Sequence, residues 1–233
     1  MDENWSYGVV AFVDILGFSA LVSSDSRSIR PKHLENLRSL LGKVSEAFPN
    51  LDLRAFSDSI TIAAPLTSAN VQALVESVTS LQQMLVQGGV LVRGAIALGK
   101  HFADEILVYS EALIRAYLLE NDKAKFPRIL LDQDLLDWYF HSSDTSVDGV
   151  ESVRRMLLMD RDNQVFLNYL VPENLRAHLT VVERCNVGNL SSSVLEKIQW
   201  LGQYHNFIAE GLGGEHVLGG DALGGFREVV VSP

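Results

Sequence analysis

Residues 9–18 of the chain read Val-Val-Ala-Phe-Val-Asp-Ile-Leu-Gly-Phe. The apolar run 9–13 is typical of a buried β-strand, and Asp14 follows it at the end of that strand. A carboxylate at a strand end can leave the core and hold a hard cation. Gly17 lets the backbone approach a phosphate because no side chain stands in the way. We therefore expect a strand that presents a metal-binding aspartate and a phosphate-contacting glycine.

A second polar site follows at residues 54–62, Arg-Ala-Phe-Ser-Asp-Ser-Ile-Thr-Ile. Alternating apolar residues flank a short polar turn, a pattern that predicts a β-hairpin with Ser57 and Asp58 at its tip. The second candidate aspartate is therefore Asp58.

Hydrophobic periodicity predicts the remaining elements. In chain order they are a strand over 7–15, a loop over 23–31, a helix over 32–48, strands over 51–56 and 60–64, a helix over 68–87, a strand over 90–98, a helix over 111–120, a strand over 126–131, a helix over 132–140, a strand over 165–170 and a helix over 191–211. The first strands and helices follow the order β-α-β-β-α-β, which is the ferredoxin-like α+β pattern.

This order brings the two aspartates together. A right-handed crossover makes the first two strands parallel, with the third running antiparallel between them. Asp14 and Asp58 then share one edge of the sheet. Two carboxylates at one place repel each other unless a cation lies between them. We therefore expect divalent cations at this edge, with substrate phosphates as further ligands.

These segments resemble the class III nucleotidyl cyclases, which carry a Phe-x-Asp-x-x-Gly-Phe motif after the first strand and a second metal aspartate on the following hairpin. Residues 12–18 match that motif in full, and Asp58 matches the second aspartate. Ser57 departs from the family, which commonly has glycine there. Within the family, the chain is most similar to the stand-alone pyrimidine nucleotide cyclases of Pycsar antiphage systems. Its residues 200–206 also resemble the C-terminal helix of those enzymes. The resemblance is good over residues 7–120 and loose elsewhere.

The resemblance implies a catalytic domain with a ferredoxin-like core and a C-terminal helical extension. It implies that Asp14, Asp58 and the backbone carbonyl of Ile15 hold two divalent cations, Mn²⁺ or Mg²⁺. It also implies that Gly17 and Phe18 contact the substrate.

Four further positions follow from the same resemblance. Arg54 stands at the base-reading position, in place of an adenine-type Lys or a guanine-type Glu, and Asp104 stands at a second base-contacting position. Arg115 matches the catalytic arginine that meets the triphosphate, which puts Glu111 at the position of a family asparagine. A second register remains open, because residues 116–120 resemble the family's Ala-x-x-Leu-Glu. Two structural alternatives also remain open. Arg54 could be an ordinary exposed strand residue, and Arg115 could be a solvated helix residue paired with Glu111.

The implied reaction converts a pyrimidine nucleoside triphosphate to a cyclic mononucleotide and pyrophosphate. We expect UTP to be favoured over CTP, giving 3′,5′-cyclic UMP, because a guanidinium offers donors only and uracil presents carbonyls. The resemblance further implies a homodimer with shared active sites, and a product that activates a separate effector protein in antiviral defence. Two alternatives stay open: a purine cyclase of the same fold, and a catalytically silent nucleotide sensor.

The composition fits one globular domain over residues 1–233, with a catalytic core at about 7–170 and a helix and Gly-rich tail at about 191–233. The formal net charge of −10 argues against a nucleic acid polymer as partner. The only cysteine is Cys185, which suits a reducing cytoplasm. We expect no membrane association, because no apolar stretch approaches the roughly 20 residues of a bilayer span and residues 1–7 do not resemble a signal peptide. The Gly-rich segment 211–225 predicts a mobile or partner-docked tail.

Overall fold

The computed structural model describes residues 5–185, 191–214, 217–218 and 225–229. Its elements, in chain order, are β1 (Ser6–Ile15), α1 (Phe18–Asp25), α2 (Lys32–Ala47), β2 (Asp52–Phe56), β3 (Ser59–Pro65), α3 (Ser68–Gln87), β4 (Val92–Ala103), β5 (Val108–Ser110), α4 (Glu111–Lys123), β6 (Ile129–Leu131), α5 (Gln133–His141), α6 (Val147–Arg155), β7 (Leu157–Met159), β8 (Val165–Leu167), α7 (Pro172–Cys185), α8 (Ser192–Gly211) and β9 (Arg227–Glu228). The described strands form one sheet in the order β2-β3-β1-β4-β6-β8-β7-β9, and β5 pairs with β4.

The predicted α+β class and the ferredoxin-like core are confirmed. β3 runs antiparallel to both β1 and β2, so β1 and β2 are parallel and β3 lies between them. β4 pairs antiparallel with the other edge of β1. The C-terminal helical extension is also present, as α8.

The two faces of the central strands have different neighbours. Val9, Ala11 and Val13 are inaccessible to solvent and belong to the main hydrophobic core, which includes apolar side chains of α2 and α3. On the opposite face α4 packs closely, since a Cβ added at Gly99 would lie 2.8 Å from the backbone nitrogen of Ala112. Gly99 therefore sets how near α4 can approach the sheet.

Several short elements differ from the sequence-based expectation. Helix α1 occupies residues 18–25, although a loop was expected from residue 23, and it has no fully buried residue. Strand β6 covers only Ile129–Leu131, and β8 ends at Leu167. α6, α7 and the short strands β5, β7 and β9 were not expected. Strands of two or three residues show too little periodicity for the pattern to indicate them, whereas α7 has 14 residues with buried positions at helical spacing and was missed in spite of that pattern.

A buried polar network fastens the C-terminal extension to the sheet. Arg128, which precedes β6, is 0% exposed and forms ion pairs with Asp160 and Asp162. Asp160 is also buried and accepts a hydrogen bond of 2.7 Å from the indole nitrogen of Trp200 in α8. In the same region the hydroxyl of Tyr204 accepts hydrogen bonds from two backbone N–H groups of the segment after β8.

Two remaining expectations concern membrane-spanning helices and the Gly-rich tail. Among the described helices, none combines the length and apolar character that crossing a bilayer requires. Residues 215–216 and 219–224 of the predicted Gly-rich tail lie outside the described residues.

Candidate active site

The two candidate metal aspartates lie side by side where β1 meets the β2–β3 hairpin. Asp14 is the cross-strand partner of Ser59, and the backbone nitrogen of Ile15 donates a hydrogen bond of 2.9 Å to the backbone oxygen of Asp58. This contact holds the hairpin tip against the end of β1. Asp14 and Asp58 come together because β1 and β3 are neighbours in the sheet.

Gly17 makes the turn from β1 into α1. Its φ of 75° lies in the left-handed region, which glycine adopts without the steric penalty that a Cβ brings. Phe18 is the first residue of α1, and its side chain packs against the main core. The first N–H groups of a helix have no acceptor within that helix and favour anions. The backbone of Gly17 and Phe18, rather than the Phe18 ring, is therefore the part suited to a phosphate.

Ser57, the departure from the family pattern, also has a left-handed backbone. Its φ is 56°, a conformation that costs a residue with a Cβ roughly 1–2 kcal/mol. The geometry of the turn thus explains why glycine is common at this position, and Ser57 keeps the geometry at some cost in stability.

Arg93 and Glu120 join Asp14, and the motifs in the sequence did not indicate either role. Arg93 is the cross-strand partner of Asp14 in β4, and its Nε donates a hydrogen bond of 3.1 Å to Asp14 Oδ2. The same Nε lies 2.6 Å from Oε1 of Glu120. Burial raises the pKa of Glu120, Arg93 opposes that rise, and Asp14 adds to it. Glu120 does end the Ala-x-x-Leu-Glu stretch of the second register, so that stretch was the one signal for it.

Arg54 and Asp104 also meet, although they are far apart in sequence. The Nε of Arg54 donates to both carboxylate oxygens of Asp52, at 3.0 and 2.9 Å, and its Nη1 donates to the backbone oxygen of Asp104 at 2.6 Å. The Asp104 carboxylate itself accepts hydrogen bonds from the backbone nitrogens of Ile106 and Leu107. Those two bonds lower the pKa of Asp104, with the Leu107 bond contributing most. The Asp104 carboxylate therefore stabilises the β4–β5 turn. The group of Asp104 that contacts Arg54 is its backbone carbonyl.

Arg115 and Glu111 have separate partners. Arg115 forms ion pairs with Asp132, at 2.7 Å, and with Asp134, whose hydrogen bond raises the pKa of the guanidinium. Glu111 accepts a hydrogen bond of 3.0 Å from the backbone nitrogen of Lys100. Over the described part of the chain, no ion pair joins Arg115 to Glu111, and none joins Arg115 to Asp14. Within one chain, Arg115 therefore belongs to a different cluster from the paired aspartates.

The side chains at the aspartate pair suit a cation that takes only part of its ligands from protein. No group of three or more His, Cys, Asp or Glu side chains placed to hold a metal ion occurs in the described residues. Mg²⁺ commonly binds through one or two carboxylates and completes its shell with phosphate oxygens and water. Asp14 and Asp58, together with the Ile15 carbonyl, fit that kind of site.

Comparisons with known proteins give similarity at the level of structures only. A scan against protein-family models finds no match, and a search of curated proteins finds none. Among solved structures, a monomeric double mutant of the guanylyl cyclase domain of the RhoGC fusion protein from the aquatic fungus Blastocladiella emersonii is similar, at 12% identity and a TM-score of 0.47, over 70% of this chain and 93% of that one.

Two structures from Pseudomonas aeruginosa are also similar. The adenylyl cyclase CyaB matches at 12% identity and a TM-score of 0.40, over 72% of this chain and 95% of that one. A class III adenylyl cyclase-like ATP-binding protein matches at 14% identity and a TM-score of 0.44, over 74% of this chain and 40% of that one. These matches are too distant to assign a function to this chain.

Proposed function

We propose that this chain is a nucleotidyl cyclase of the class III type that converts UTP to 3′,5′-cyclic UMP and pyrophosphate. The observation that carries the proposal is the contact between Ile15 and Asp58, which sets Asp58 beside Asp14 at one sheet edge. Gly17 and the start of α1 follow directly, so a triphosphate has a place beside the carboxylates.

The reaction forms a bond between the ribose 3′-oxygen and the α-phosphorus. It breaks the bond between the α-phosphorus and the oxygen that bridges the α- and β-phosphates. The 3′-hydroxyl loses its proton, and pyrophosphate leaves. Asp14, Asp58 and the Ile15 carbonyl would hold two Mn²⁺ or Mg²⁺ ions. Bound there, such ions lower the pKa of a hydroxyl and neutralise charge on the phosphates. The N–H groups at Gly17 and Phe18 orient the triphosphate.

Base selection is assigned to Arg54. Asp52 fixes the Nε side of its guanidinium, and the Asp104 carbonyl fixes Nη1, whereas Nη2 makes no hydrogen bond to any described residue. A held guanidinium with a remaining donor suits a carbonyl-bearing base such as uracil. The amino group of cytosine is itself a hydrogen-bond donor and could not accept from the Arg54 guanidinium at the same edge. This mismatch favours UTP over CTP.

A homodimer with shared sites would account for the position of Arg115, which lies in a different cluster from Asp14 and Asp58 within one chain. The outward surface of α4 is apolar, since Ile114, Tyr117 and Leu118 are 60%, 50% and 49% exposed. The Tyr117 ring packs edge-on against Phe12, with ring centroids 5.6 Å apart, so this surface adjoins the motif strand. A second copy packed there would bring its own Arg115 towards the triphosphate and stabilise charge in the transition state. By its resemblance to Pycsar enzymes, we assign the chain to phage defence in the cytoplasm, with a separate effector that responds to the product.

The decisive experiment offers purified protein each of the four nucleoside triphosphates with Mn²⁺ and identifies products by mass spectrometry. We expect 3′,5′-cyclic UMP from UTP, and loss of product in Asp14→Ala and Asp58→Ala. The exposed Asp144→Ala serves as the matched control and should keep full activity. Faster turnover of ATP or GTP would favour a purine cyclase, and nucleotide binding without any product would favour a silent sensor.

Site sharing has its own experiment. Asp58→Ala and Arg115→Ala proteins should each be inactive, and mixing them should restore part of the activity, because a heterodimer regains one intact site. Absence of recovery, with subunit exchange verified independently, would contradict a shared site.

A further inference from the structure

Arg93 stands between two carboxylates of very different exposure. Asp14 has an 18% exposed side chain and receives the Nε hydrogen bond, whereas the side chain of Glu120 is 3% exposed. Both carboxylates come from elements that pack on β4, namely β1 and α4. One guanidinium therefore compensates a carboxylate at the site surface and another inside the protein.

The buried carboxylate is incompletely satisfied. Nε carries a single hydrogen, and that hydrogen bonds Asp14 Oδ2. Glu120 Oε1 lies only 2.6 Å from Nε but accepts no hydrogen bond from any described residue. A buried carboxylate oxygen without a hydrogen bond is unfavourable, so a second arrangement in which Nε–H turns to Glu120 is within easy reach.

We propose that Arg93 is an exchangeable counter-ion for the metal site, with Glu120 as the positioning residue that receives it. In the metal-free protein Arg93 bonds Asp14, and when a divalent cation takes Asp14, Arg93 transfers its Nε hydrogen bond to Glu120. The inference rests on the proposed function, because it takes Asp14 to be a cation ligand. The exchange follows from charge: a guanidinium and a cation compete for one carboxylate, and Glu120 offers the displaced guanidinium a partner without moving it away.

This arrangement predicts opposite effects from removing the two partners. Arg93→Gln removes the competitor at Asp14, so cation affinity rises. Glu120→Gln removes the charge that accepts Arg93, so Arg93 stays on Asp14 and cation affinity falls. A purely structural role for the pair would instead make both variants bind the cation more weakly.

The test measures free Mn²⁺ by electron paramagnetic resonance during titration of the full chain, without nucleotide, so that no turnover is needed. We expect Arg93→Gln to bind Mn²⁺ at least about fivefold more tightly, and Glu120→Gln at least about fivefold more weakly, than the wild type. Arg155→Gln, which removes one charge at a side chain 75% exposed, is the matched control and should not change the affinity. Thermal unfolding of each variant verifies that it is folded.

The outcomes separate the inference from the proposed function. If wild-type protein binds no Mn²⁺, or if Asp14→Asn binds it equally well, the metal site itself is wrong. If binding depends on Asp14 but both variants shift the affinity in the same direction, the counter-ion exchange is wrong and the metal site stands. Should Glu120→Gln fail to fold, the double variant Arg93→Gln/Glu120→Gln decides: an affinity equal to that of Arg93→Gln supports the exchange, because Glu120 then has no guanidinium to receive, and a lower affinity than that of Arg93→Gln overturns it.

Discussion

Replacing Arg128 with methionine is expected to destabilise the whole protein strongly. The guanidinium is fully buried and is shared between Asp160 and Asp162. Methionine keeps much of the side-chain volume but leaves the buried Asp160 carboxylate, among the described residues, with only the Trp200 indole and the Arg161 backbone nitrogen as donors, each at 2.7 Å. Removing one partner of a buried ion pair costs about 3–5 kcal/mol.

That loss converts to a melting temperature lower by about 6–20 °C, since 1 kcal/mol corresponds to roughly 2–4 °C in a chain of this length. Urea unfolding followed by tryptophan fluorescence measures the free energy directly. The matched control is Arg155→Met, whose surface ion pair with Glu151 should contribute under about 1 kcal/mol. The double variant Arg128→Met/Asp160→Asn should recover part of the loss, because it removes the uncompensated charge. A loss below about 1 kcal/mol in Arg128→Met would refute the account of this network.

Three further outcomes follow from the site and the C-terminal helices. Ser57→Gly should raise the free energy of unfolding by about 1 kcal/mol, because it relieves the left-handed backbone; a lower urea midpoint would contradict this. Burial, and then His205, lowers the pKa of His178 from 6.5 to about 3. Between pH 6.5 and 3, His178 therefore binds a proton in the unfolded chain but not in the folded chain. The free energy of unfolding should fall by about 1.4 kcal/mol per pH unit from pH 6.5 towards 3. The His178→Gln variant should show a shallower slope between pH 6.5 and about 5. Arg54→Ala should reduce the UTP-to-ATP ratio of kcat/KM about tenfold while cyclisation continues; an unchanged ratio would remove Arg54 from base selection.

The sequence was sufficient for the fold core because its signals are local. Periodicity and turn residues gave β1, α2, the β2–β3 hairpin, α3 and β4, and the handedness of the crossover then placed Asp14 beside Asp58. The same logic could not extend to α1, because a short helix with no buried residue leaves almost no hydrophobic period.

The polar partners of the site were harder to predict because they depend on register and packing. Arg93 meets Asp14 only because β4 pairs with β1 in one particular register, and Glu120 reaches Arg93 only once α4 lies on that sheet face. Arg115 similarly finds Asp132 and Asp134 through the approach of α4 to the start of α5. None of these pairs is signalled by the spacing of the residues along the chain.

The ion pair at Arg128 also constrains the order of events during biosynthesis. Arg128 leaves the ribosome before Asp160, which lies 32 residues later in the chain, and Trp200 follows Asp160 by a further 40. At about 5–20 residues per second, Arg128 waits roughly 2–6 s for its counter-charge. During that interval β6 cannot be buried without burying an unpaired cation. The nascent chain can therefore assemble β1 to β4 early, whereas closure over β6 must wait until Asp160 has been translated.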